Sequence, residues 1–294
     1  MRWGQRAVAA LVGGAGWLVG RLPLTMSRRV GAAAGELAYW VLAGRRRVAH
    51  ANLALAFGPA LDPRARRRLA RANFRHLGVT VFECCRLFFG PPGRMLERVR
   101  MEGVEHLKAG LAEGRGVLYL GAHFGNWELL AASQQLTGFP LSVVVRPLDN
   151  PLLEALVARA RERLGVRLIP KRRALRDVQT ALARGECVGI MLDQNAGRRG
   201  VFVPFFGQQA STSRSLAVLA LKTGAPVVPA FIRRLADGSH QVTLEPPIPL
   251  ARTGELERDV AEATRRFTEA IERQVRAYPE QWFWVHRRWK TRPV

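Results

Sequence analysis

A histidine and a glutamate lie five positions apart, directly after an apolar run. His123 follows the run at residues 117–122, and Glu128 follows Gly125 where a helical pattern begins. The run predicts a buried strand, and open α/β sheets bind ligands at the carboxyl ends of their strands. On a continuous helix the two side chains would point about 140° apart, so they can meet only if the backbone turns, which Gly125 permits. The pair therefore predicts a general base, His123, oriented by Glu128.

The same spacing has plainer interpretations. His123 would be an ordinary loop histidine, and Glu128 a favourable negative charge in a first helical turn. A metal site is not predicted, because no His-Glu-x-x-His motif or cysteine pair supplies further ligands. A serine hydrolase is not predicted either, because the chain lacks a Gly-x-Ser-x-Gly elbow.

The sequence around the pair resembles a known family in several blocks. The segment Gly-Ala-His-Phe-Gly-Asn-Trp-Glu resembles the His-x4-Asp/Glu block of the lysophospholipid acyltransferase superfamily. More narrowly, it is similar to the bacterial lipid A biosynthesis acyltransferases, the Kdo2-lipid A late acyltransferases of lauroyl and myristoyl type. From about residue 30 to the end, further similar blocks occur in that family's order, at residues 144–147, 193–195, 201–207, 210–212, 279–282 and 286–293.

The resemblance implies an O-acyltransferase at the cytoplasmic face of a bacterial inner membrane. It would move a fatty acyl chain from an acyl carrier protein thioester, or from acyl-CoA, to a hydroxyl of a phosphorylated Kdo-lipid A precursor. No further cofactor is implied. His123 would take the hydroxyl proton while Glu128 holds the imidazole tautomer, as a triad carboxylate does. Alternatives are an acyltransferase for a phosphatidylinositol mannoside, a lysophospholipid or an ornithine lipid, and a non-catalytic basic protein that binds membrane or nucleic acid.

The elements that must position the pair follow from the pattern after Pro91 and Pro92. Short apolar runs alternate there with helical patterns, which predicts an α/β fold with a mostly parallel central sheet flanked by helices. The resemblance makes this fold glycerol-phosphate acyltransferase-like. The predicted strands lie at residues 117–122, 141–145, 166–169, 187–192, 201–206, 227–232 and, as an edge strand, 240–244.

Several polar residues follow these strands and should share one rim of the sheet. Arg146 is predicted to bind a substrate phosphate or the carrier phosphopantetheine, with an ordinary surface arginine as the alternative. Lys171 and Arg173 are predicted to attract the phosphorylated acceptor. Asp193 and Asn195 are predicted to order the loop by hydrogen bonds or to bind the acceptor.

The block after this loop supplies the remaining candidate substrate contacts. Phe202 and Phe205 belong to an apolar run that is either core or, in a lipid enzyme, the lining of an acyl-chain pocket. Ser211 and Thr212 are predicted to contact substrate, or else to cap the helix that follows.

The formal net charge of the 294-residue chain is +23. A field of this sign attracts polyanions: nucleic acid, anionic membrane or a phosphorylated substrate. Nucleic acid is not the predicted partner, because no helix-turn-helix, zinc-finger or RNP signature occurs. The three cysteines form neither a disulfide framework nor a metal pattern, which fits a reducing compartment.

Two apolar runs, at residues 7–20 and 30–44, are bracketed by arginines. Both are shorter than the roughly 20 residues that span a bilayer. We therefore expect residues 1–90 to form a helical region that associates with a membrane surface, and residues 91–294 to form the acyltransferase domain, the two making one structural unit. A tilted single span and ordinary buried helices are the alternatives. The run at residues 7–20 lacks a signal-peptide cleavage pattern.

Two further segments carry predictions about packing. The helix after Asp62 and Pro63 is predicted to pack on the sheet through a stripe of Leu69, Leu77, Val81, Cys85 and Phe89.

At the carboxyl terminus, cations lie among tryptophans, which suits a headgroup interface but equally suits packing at the end of a domain. These residues are Arg287, Arg288 and Lys290, with Trp282, Trp284 and Trp289.

Overall fold

The computed structural model describes residues 3–293, apart from the side chains of Trp3 and Arg173. Its first part is helical. The helices are α1 (Trp3–Arg21), α2 (Leu24–Val41), α3 (Ala43–Phe57) and α4 (Pro63–Phe89). The other three pack against α4, the longest of them.

Helix α4 begins where the sequence predicts. The Asp62 carboxylate accepts hydrogen bonds from the backbone N–H groups of Arg64 and Ala65, at 2.7 and 2.8 Å. It therefore caps the helix, with Pro63 in the first helical position. Helices α2 and α4 cross closely, because a Cβ on Gly35 would overlap the carbonyl of Phe74.

The second part alternates helices and strands. The helices are α5 (Gly93–Leu96), α6 (Val104–Ala112), α7 (Trp127–Ser133), α8 (Pro151–Arg163), α9 (Ala174–Ala183), α10 (Ser215–Thr223) and α11 (Leu256–Ala277). The strands are β1 (Val99–Glu102), β2 (Val117–Gly121), β3 (Leu141–Val145), β4 (Val166–Pro170), β5 (Cys187–Met191), β6 (Val201–Phe205), β7 (Gln208–Thr212), β8 (Val227–Arg234) and β9 (His240–Leu244).

Seven strands form one sheet in the order β1-β9-β8-β2-β5-β3-β4. Every pairing in it is parallel except that of β8 with β9. Apolar residues of β2, β5 and β8 contribute to clusters on both faces of the sheet, which are covered by helices. The predicted α/β class, with a mostly parallel sheet flanked by helices, is confirmed.

Two details of the strand prediction are wrong. Strand β9 is not an edge, because β1 pairs with it on the outer side. With only four residues, β1 is too short for its alternation to stand out in the sequence. Polar β7 was also missed; it pairs with β6 across a tight turn at Phe206 and Gly207, both with positive φ, to form a separate two-stranded sheet.

The predicted stripe on α4 is only partly confirmed, because Leu69 and Leu77 pack against the buried core whereas Val81 does not. Val81 is 58% exposed, whereas the deeply buried face carries polar side chains, among them His76, Thr80, Glu83 and Arg86. Such a face is stable only where hydrogen-bonding partners meet it, and those partners lie far away in the sequence.

In the described part of the chain, no helix combines the length and apolar character that crossing a membrane requires. Helices α1 and α2 nevertheless expose large apolar side chains, including Leu11, Trp17, Leu18, Leu37 and Trp40.

Candidate active site

His123 lies just past the carboxyl end of β2, a fully buried strand between β5 and β8. The chain turns at Gly125, where φ is +60° and a Cβ would overlap the carbonyl oxygen of Ile232. Only glycine fits there without strain. Asn126 then caps α7 by accepting a hydrogen bond from the N–H of Leu129 at 3.1 Å.

The partner of the His123 ring is Asp193. Gly121 in β2 is in register with Met191 in β5, so His123 and Asp193 each lie two residues beyond a paired position on neighbouring parallel strands. The Asp193 carboxylate is 2.7 Å from His123 Nδ1 and 2.8 Å from its backbone nitrogen. The indole nitrogen of Trp282 donates to it as well, at 2.8 Å.

These contacts set the charge states of the pair. Burial disfavours the protonated ring, but the negative charge and hydrogen bond of Asp193 outweigh it, so the pKa of His123 is raised. Burial also opposes ionisation of Asp193, yet His123 and the other donors hold the Asp193 pKa below its usual value. A carboxylate on Nδ1 leaves the lone pair of Nε2 as the proton acceptor of the neutral ring.

The other side of the His123 ring is accessible. Its side chain is 21% exposed, and Nε2 lies 3.4 Å from the amide nitrogen of Gln194, an exposed residue. Trp127 and Phe283 pack against the ring, with centroids 5.3 and 6.0 Å away. Nε2 is thus reachable from outside, between apolar walls.

Glu128 does not occupy the predicted place beside His123. It lies in the first turn of α7 and receives two hydrogen bonds from Arg161 of α8, at 2.9 and 2.6 Å. Within residues 3–293 no hydrogen bond joins it to His123, whose Nδ1 is engaged by Asp193. The charge of Glu128 still contributes to raising the His123 pKa, after the larger influences of burial and of Asp193. The carboxylate that contacts the His123 ring is therefore Asp193, where the sequence predicted Glu128.

A second buried carboxylate lies behind the turn at Gly125. Glu83 of α4 is fully buried and receives hydrogen bonds from Arg234 at 2.9 and 2.7 Å and from Asn126 at 3.1 Å. Arg28 and His240 approach it at 3.5 and 3.2 Å. Although burial opposes ionisation, the charges and hydrogen bonds of Arg234 and His240 lower the pKa of Glu83 far below its usual value. We call these five residues the Glu83 cluster.

The Glu83 cluster is linked to the turn that follows His123. His76 bridges Arg234 and the carbonyl of Gly125, at 2.7 and 3.3 Å. Burial, then the charge of Arg234, lowers the His76 pKa, so the ring is neutral. Gln281 pairs through its side-chain amide with the backbone of Arg234 and accepts the Gly125 N–H at its own carbonyl.

The carboxyl-terminal segment closes the site from the other side. The Phe283 N–H donates to the His123 carbonyl at 3.1 Å. Arg288, 1% exposed, donates to the carbonyl of Ser211 and to the Thr212 hydroxyl, at 2.6 and 2.5 Å. Burial lowers the pKa of Arg288 to about 10, against the opposing charge of Asp193.

The expectation that this segment faces lipid headgroups is therefore wrong for most of it. Trp282, Trp284 and Trp289 are 1%, 0% and 9% exposed, so the packing alternative is confirmed. Of the six residues named for this expectation, Arg287 and Lys290 are exposed.

The loop after Asp193 makes the kind of contacts that order a loop. The Asn195 N–H donates to His286 Nε2 at 3.1 Å, and its side chain donates to Thr291 at 3.0 Å. Ser211 and Thr212 lie in β7 rather than at a helix start, and both are buried. Neither caps α10, which begins at Ser215.

The predicted acyl-pocket phenylalanines lie on different faces of β6. Phe205 is 1% exposed and packs against Trp282 and Trp289, as a core side chain does. Phe202 is half-buried.

The predicted phosphate ligands are not drawn into the site. The Arg146 side chain is 80% exposed, with only Asp149 at 3.5 Å, and Lys171 is exposed. The Arg173 side chain lies outside the described part of the structure.

Sequence reasoning missed Trp282, Gln281, Glu83 and Arg234 as supports of the site. The resemblance had pointed to the block at residues 279–282, but not to what it contacts. No local spacing indicates these contacts, because each joins segments far apart in the chain.

A histidine base held by a buried carboxylate at the rim of a parallel sheet is suited to deprotonating a substrate hydroxyl. Comparison with known proteins identifies the family to which the chain belongs. Residues 1–291 match the model of the bacterial lipid A biosynthesis acyltransferases. The chain belongs to this family and is an O-acyltransferase.

Individual relatives agree with the family match. The chain is 35% identical over 284 residues to the lipid A biosynthesis lauroyltransferase of Escherichia coli K12, covering 94% of this chain and 89% of the relative. It is 33% identical over 281 residues to the palmitoleoyltransferase of the same organism, covering 95% and 89%. It is 26% identical over 282 residues to a phosphatidylinositol mannoside acyltransferase of Mycolicibacterium smegmatis, covering 94% and 89%.

Proposed function

We propose that this protein transfers a fatty acyl chain from an acyl carrier protein thioester to a hydroxyl of a Kdo-lipid A precursor. His123 serves as general base and Asp193 orients it. The observation that carries this proposal is the 2.7 Å contact between Asp193 and His123 Nδ1, on a ring whose Nε2 is reachable from outside.

The reaction follows from that geometry. The acceptor hydroxyl replaces the Gln194 amide at Nε2 and gives its proton to the ring as its oxygen attacks the thioester carbonyl carbon. Asp193 stabilises the imidazolium that forms. When the tetrahedral intermediate collapses, the C–S bond breaks and the thiolate takes the proton from Nε2. A general base of this kind accounts for about 10²–10⁴-fold in rate.

Glu128 contributes in a different way from Asp193. Its charge favours the imidazolium at a distance, and its two hydrogen bonds to Arg161 hold α7 against α8. We expect it to support the site electrostatically rather than to orient the ring.

The partners rest on the relatives and on charge. The E. coli relatives act in lipid A biosynthesis, which supports a lipid A precursor as the acceptor. The net charge of +23 suits both a phosphorylated glycolipid and an acidic carrier protein. Exposed Trp17, Leu18 and Trp40 support attachment of the first helices to the cytoplasmic face of the inner membrane.

The test is an in vitro transfer assay read by mass spectrometry of the acceptor. Acyl carrier protein and coenzyme A thioesters are each offered with a Kdo-lipid A precursor. We expect the acceptor to gain one fatty acyl group, preferentially from the carrier protein thioester, and folded His123→Ala to yield none above background. Turnover by folded His123→Ala near that of the wild type would overturn the base assignment.

A second acceptor is favoured by one observation, the similarity to a phosphatidylinositol mannoside acyltransferase over nearly the whole chain. Its lower identity ranks it behind lipid A. Offering both acceptors in the same assay decides between them, because only the true acceptor gains the mass of an acyl group.

A further inference from the structure

A pocket of about 430 Å³ opens on the helical part of the molecule. It lies between the carboxyl-terminal end of α2, the body of α3 and the first turns of α4. We call it the Arg66 pocket; its main lining residues are Tyr39, Trp40, Arg46, His50, Arg66 and Arg67. No hydrogen bond or ion pair joins these side chains to His123, Asp193 or Glu128.

The charge inside the Arg66 pocket is strongly positive. Three guanidinium groups line it, and no aspartate or glutamate does. The pKa of His50 reflects this positive charge. Burial, and then the charges of Arg46, Arg66 and Arg67, lower that pKa, and no carboxylate offsets them. Two acids of the neighbouring helices already have partners. Glu36 receives two hydrogen bonds from Arg71 and one from the indole of Trp40, and Asp62 caps α4.

Two of these guanidinium groups are held by hydrogen bonds to backbone carbonyls, and all three keep donors that these bonds do not use. Arg46 is fixed by hydrogen bonds from one nitrogen to the carbonyls of Tyr39 and Trp40, at 2.9 and 3.0 Å. Arg66 binds the Leu61 carbonyl through one nitrogen, while its shielded Nε has no partner among the described residues. Arg67 is exposed and forms no hydrogen bond or ion pair within residues 3–293. Guanidinium groups with free donors match the oxygens of a phosphate.

The surroundings of the pocket indicate where that phosphate comes from. Leu37, Trp40, Val41 and Leu42 are 63%, 56%, 67% and 49% exposed at the same end of α2. Apolar and tryptophan side chains beside cations are typical of a surface that lies in a lipid headgroup layer.

We propose that the Arg66 pocket binds the phosphate of an anionic membrane lipid at a site separate from the acyl-transfer centre. The lipid phosphate lies among the three guanidinium groups while the apolar end of α2 enters the headgroup layer. The pocket thereby fixes the orientation of the enzyme on the membrane, which diffuse attraction by the net charge does not do.

The experiment measures binding of the full chain to phosphatidylcholine vesicles with and without phosphatidic acid. The test variant is Arg66→Gln/Arg67→Gln. The matched control is Arg176→Gln/Arg258→Gln, which removes the same charge from exposed residues of α9 and α11 whose side chains form no hydrogen bond or ion pair within residues 3–293. We expect the test variant to bind phosphatidic acid vesicles about tenfold to thirtyfold more weakly than wild type, and the control to change less than about threefold.

A second arm separates a lipid phosphate from a free one. Dihexanoyl phosphatidic acid, dihexanoyl phosphatidylcholine and inorganic phosphate are titrated by calorimetry against the wild type and the test variant. We expect the short phosphatidic acid to bind the wild type and to lose that binding in the test variant. Equal affinity for inorganic phosphate would overturn the lipid assignment, and equal vesicle binding by the test and control variants would overturn the site.

Folding and activity are monitored in the same preparations. Circular dichroism checks the fold. If the glutamine variant does not fold, Arg66→Lys/Arg67→Lys takes its place; because it keeps the charge, it should retain most of the vesicle binding. Loss of binding in the lysine variant as well, with the fold intact, would show that guanidinium geometry is required. Acyl transfer to detergent-dispersed acceptor should be unchanged, so this proposal can fail while the proposed function stands, and the reverse.

Discussion

Two buried carboxylates, Asp193 and Glu83, each lie next to a histidine, yet their surroundings differ. Asp193 binds one titratable ring, His123, and one neutral indole, that of Trp282. Glu83 binds the guanidinium of Arg234 through both oxygens, and a second guanidinium and His240 lie beside it.

From this difference we expect the Asp193 carboxylate to serve catalysis and the Glu83 carboxylate to serve structure. The partner of Asp193 can take up and release a proton near neutral pH, and its far nitrogen is accessible. The main partner of Glu83 is a guanidinium, which has no proton-accepting atom, and its histidine neighbour His240 is buried, so we expect the cluster to fix the turn at Gly125 and Asn126. His240 also lies beside a carboxylate, but it is buried, whereas the His123 ring is accessible from outside.

The variant Asp193→Asn tests the proposed role of Asp193 and should have the largest effect on catalysis. The amide no longer favours the tautomer with a free Nε2 lone pair, nor stabilises the imidazolium, so we expect kcat to fall about 10²–10⁴-fold in a folded protein. Because Asp193 raises the His123 pKa, residual activity should begin at lower pH than in the wild type. Transfer assays across a pH series measure both effects. An unmoved acid limb would show that Asp193 does not govern the ring.

The Glu83 cluster is tested by Glu83→Gln, whose main effect should be on stability. Removing one member of a buried ion pair leaves Arg234 uncompensated, so we expect a loss of about 3–5 kcal/mol in the free energy of unfolding. Since the Glu83 pKa is lowered on folding, this stabilisation is present at neutral pH and is lost as pH falls below the unfolded value of about 4.3. Denaturant unfolding at several pH values measures it.

Glu186→Gln is the matched control for Glu83→Gln. Its carboxylate is 7% exposed, but Arg167 and Arg184, which bind it, are 58% and 57% exposed and can return to water. We expect a loss of about 1 kcal/mol or less. Equal losses in the two variants would refute the structural role of the Glu83 cluster.

The sequence predicted those parts of the site that depend on one strand and the residues directly after it. Apolar runs located β2 and β5, and the rule that parallel strands end at one rim placed His123 and Asp193 together. Their direct contact depends on β2 lying next to β5, and no residue in either segment encodes that order. Glu128 is close to His123 in the sequence, but the ring contacts Asp193, which is 70 positions away.

The helix α4 shows a second limit. Hydrophobic periodicity places Val81 on the buried face of the helix, because it identifies a buried face by its apolar residues. The face that is buried instead carries Glu83, whose desolvation is offset by Arg234, a residue 151 positions away. A polar residue whose partner is remote looks like a surface residue in the sequence.

The variant Glu128→Gln tests which of the two carboxylates, Glu128 or Asp193, contributes more to kcat. If Glu128 acts through its charge and through Arg161, its loss should lower kcat about tenfold to a hundredfold, less than Asp193→Asn, because each charged hydrogen bond contributes about 1.5–3 kcal/mol. Transfer assays on folded variants give the ranking. A larger loss than in Asp193→Asn would return the orienting role to Glu128.

The smallest expected effect is that of Trp282→Phe, which removes one donor from Asp193 and keeps the aromatic packing. A neutral donor to a carboxylate lowers its basicity, so without it the Asp193 charge should act more strongly on His123. The His123 pKa should then rise slightly, and the acid limb of the transfer rate should move to higher pH, opposite to the shift in Asp193→Asn. The rate above that limb should fall by about tenfold or less, since the ring remains held by Asp193. A shift in the same direction as in Asp193→Asn would mean that the indole mainly keeps the carboxylate in position rather than tuning its charge.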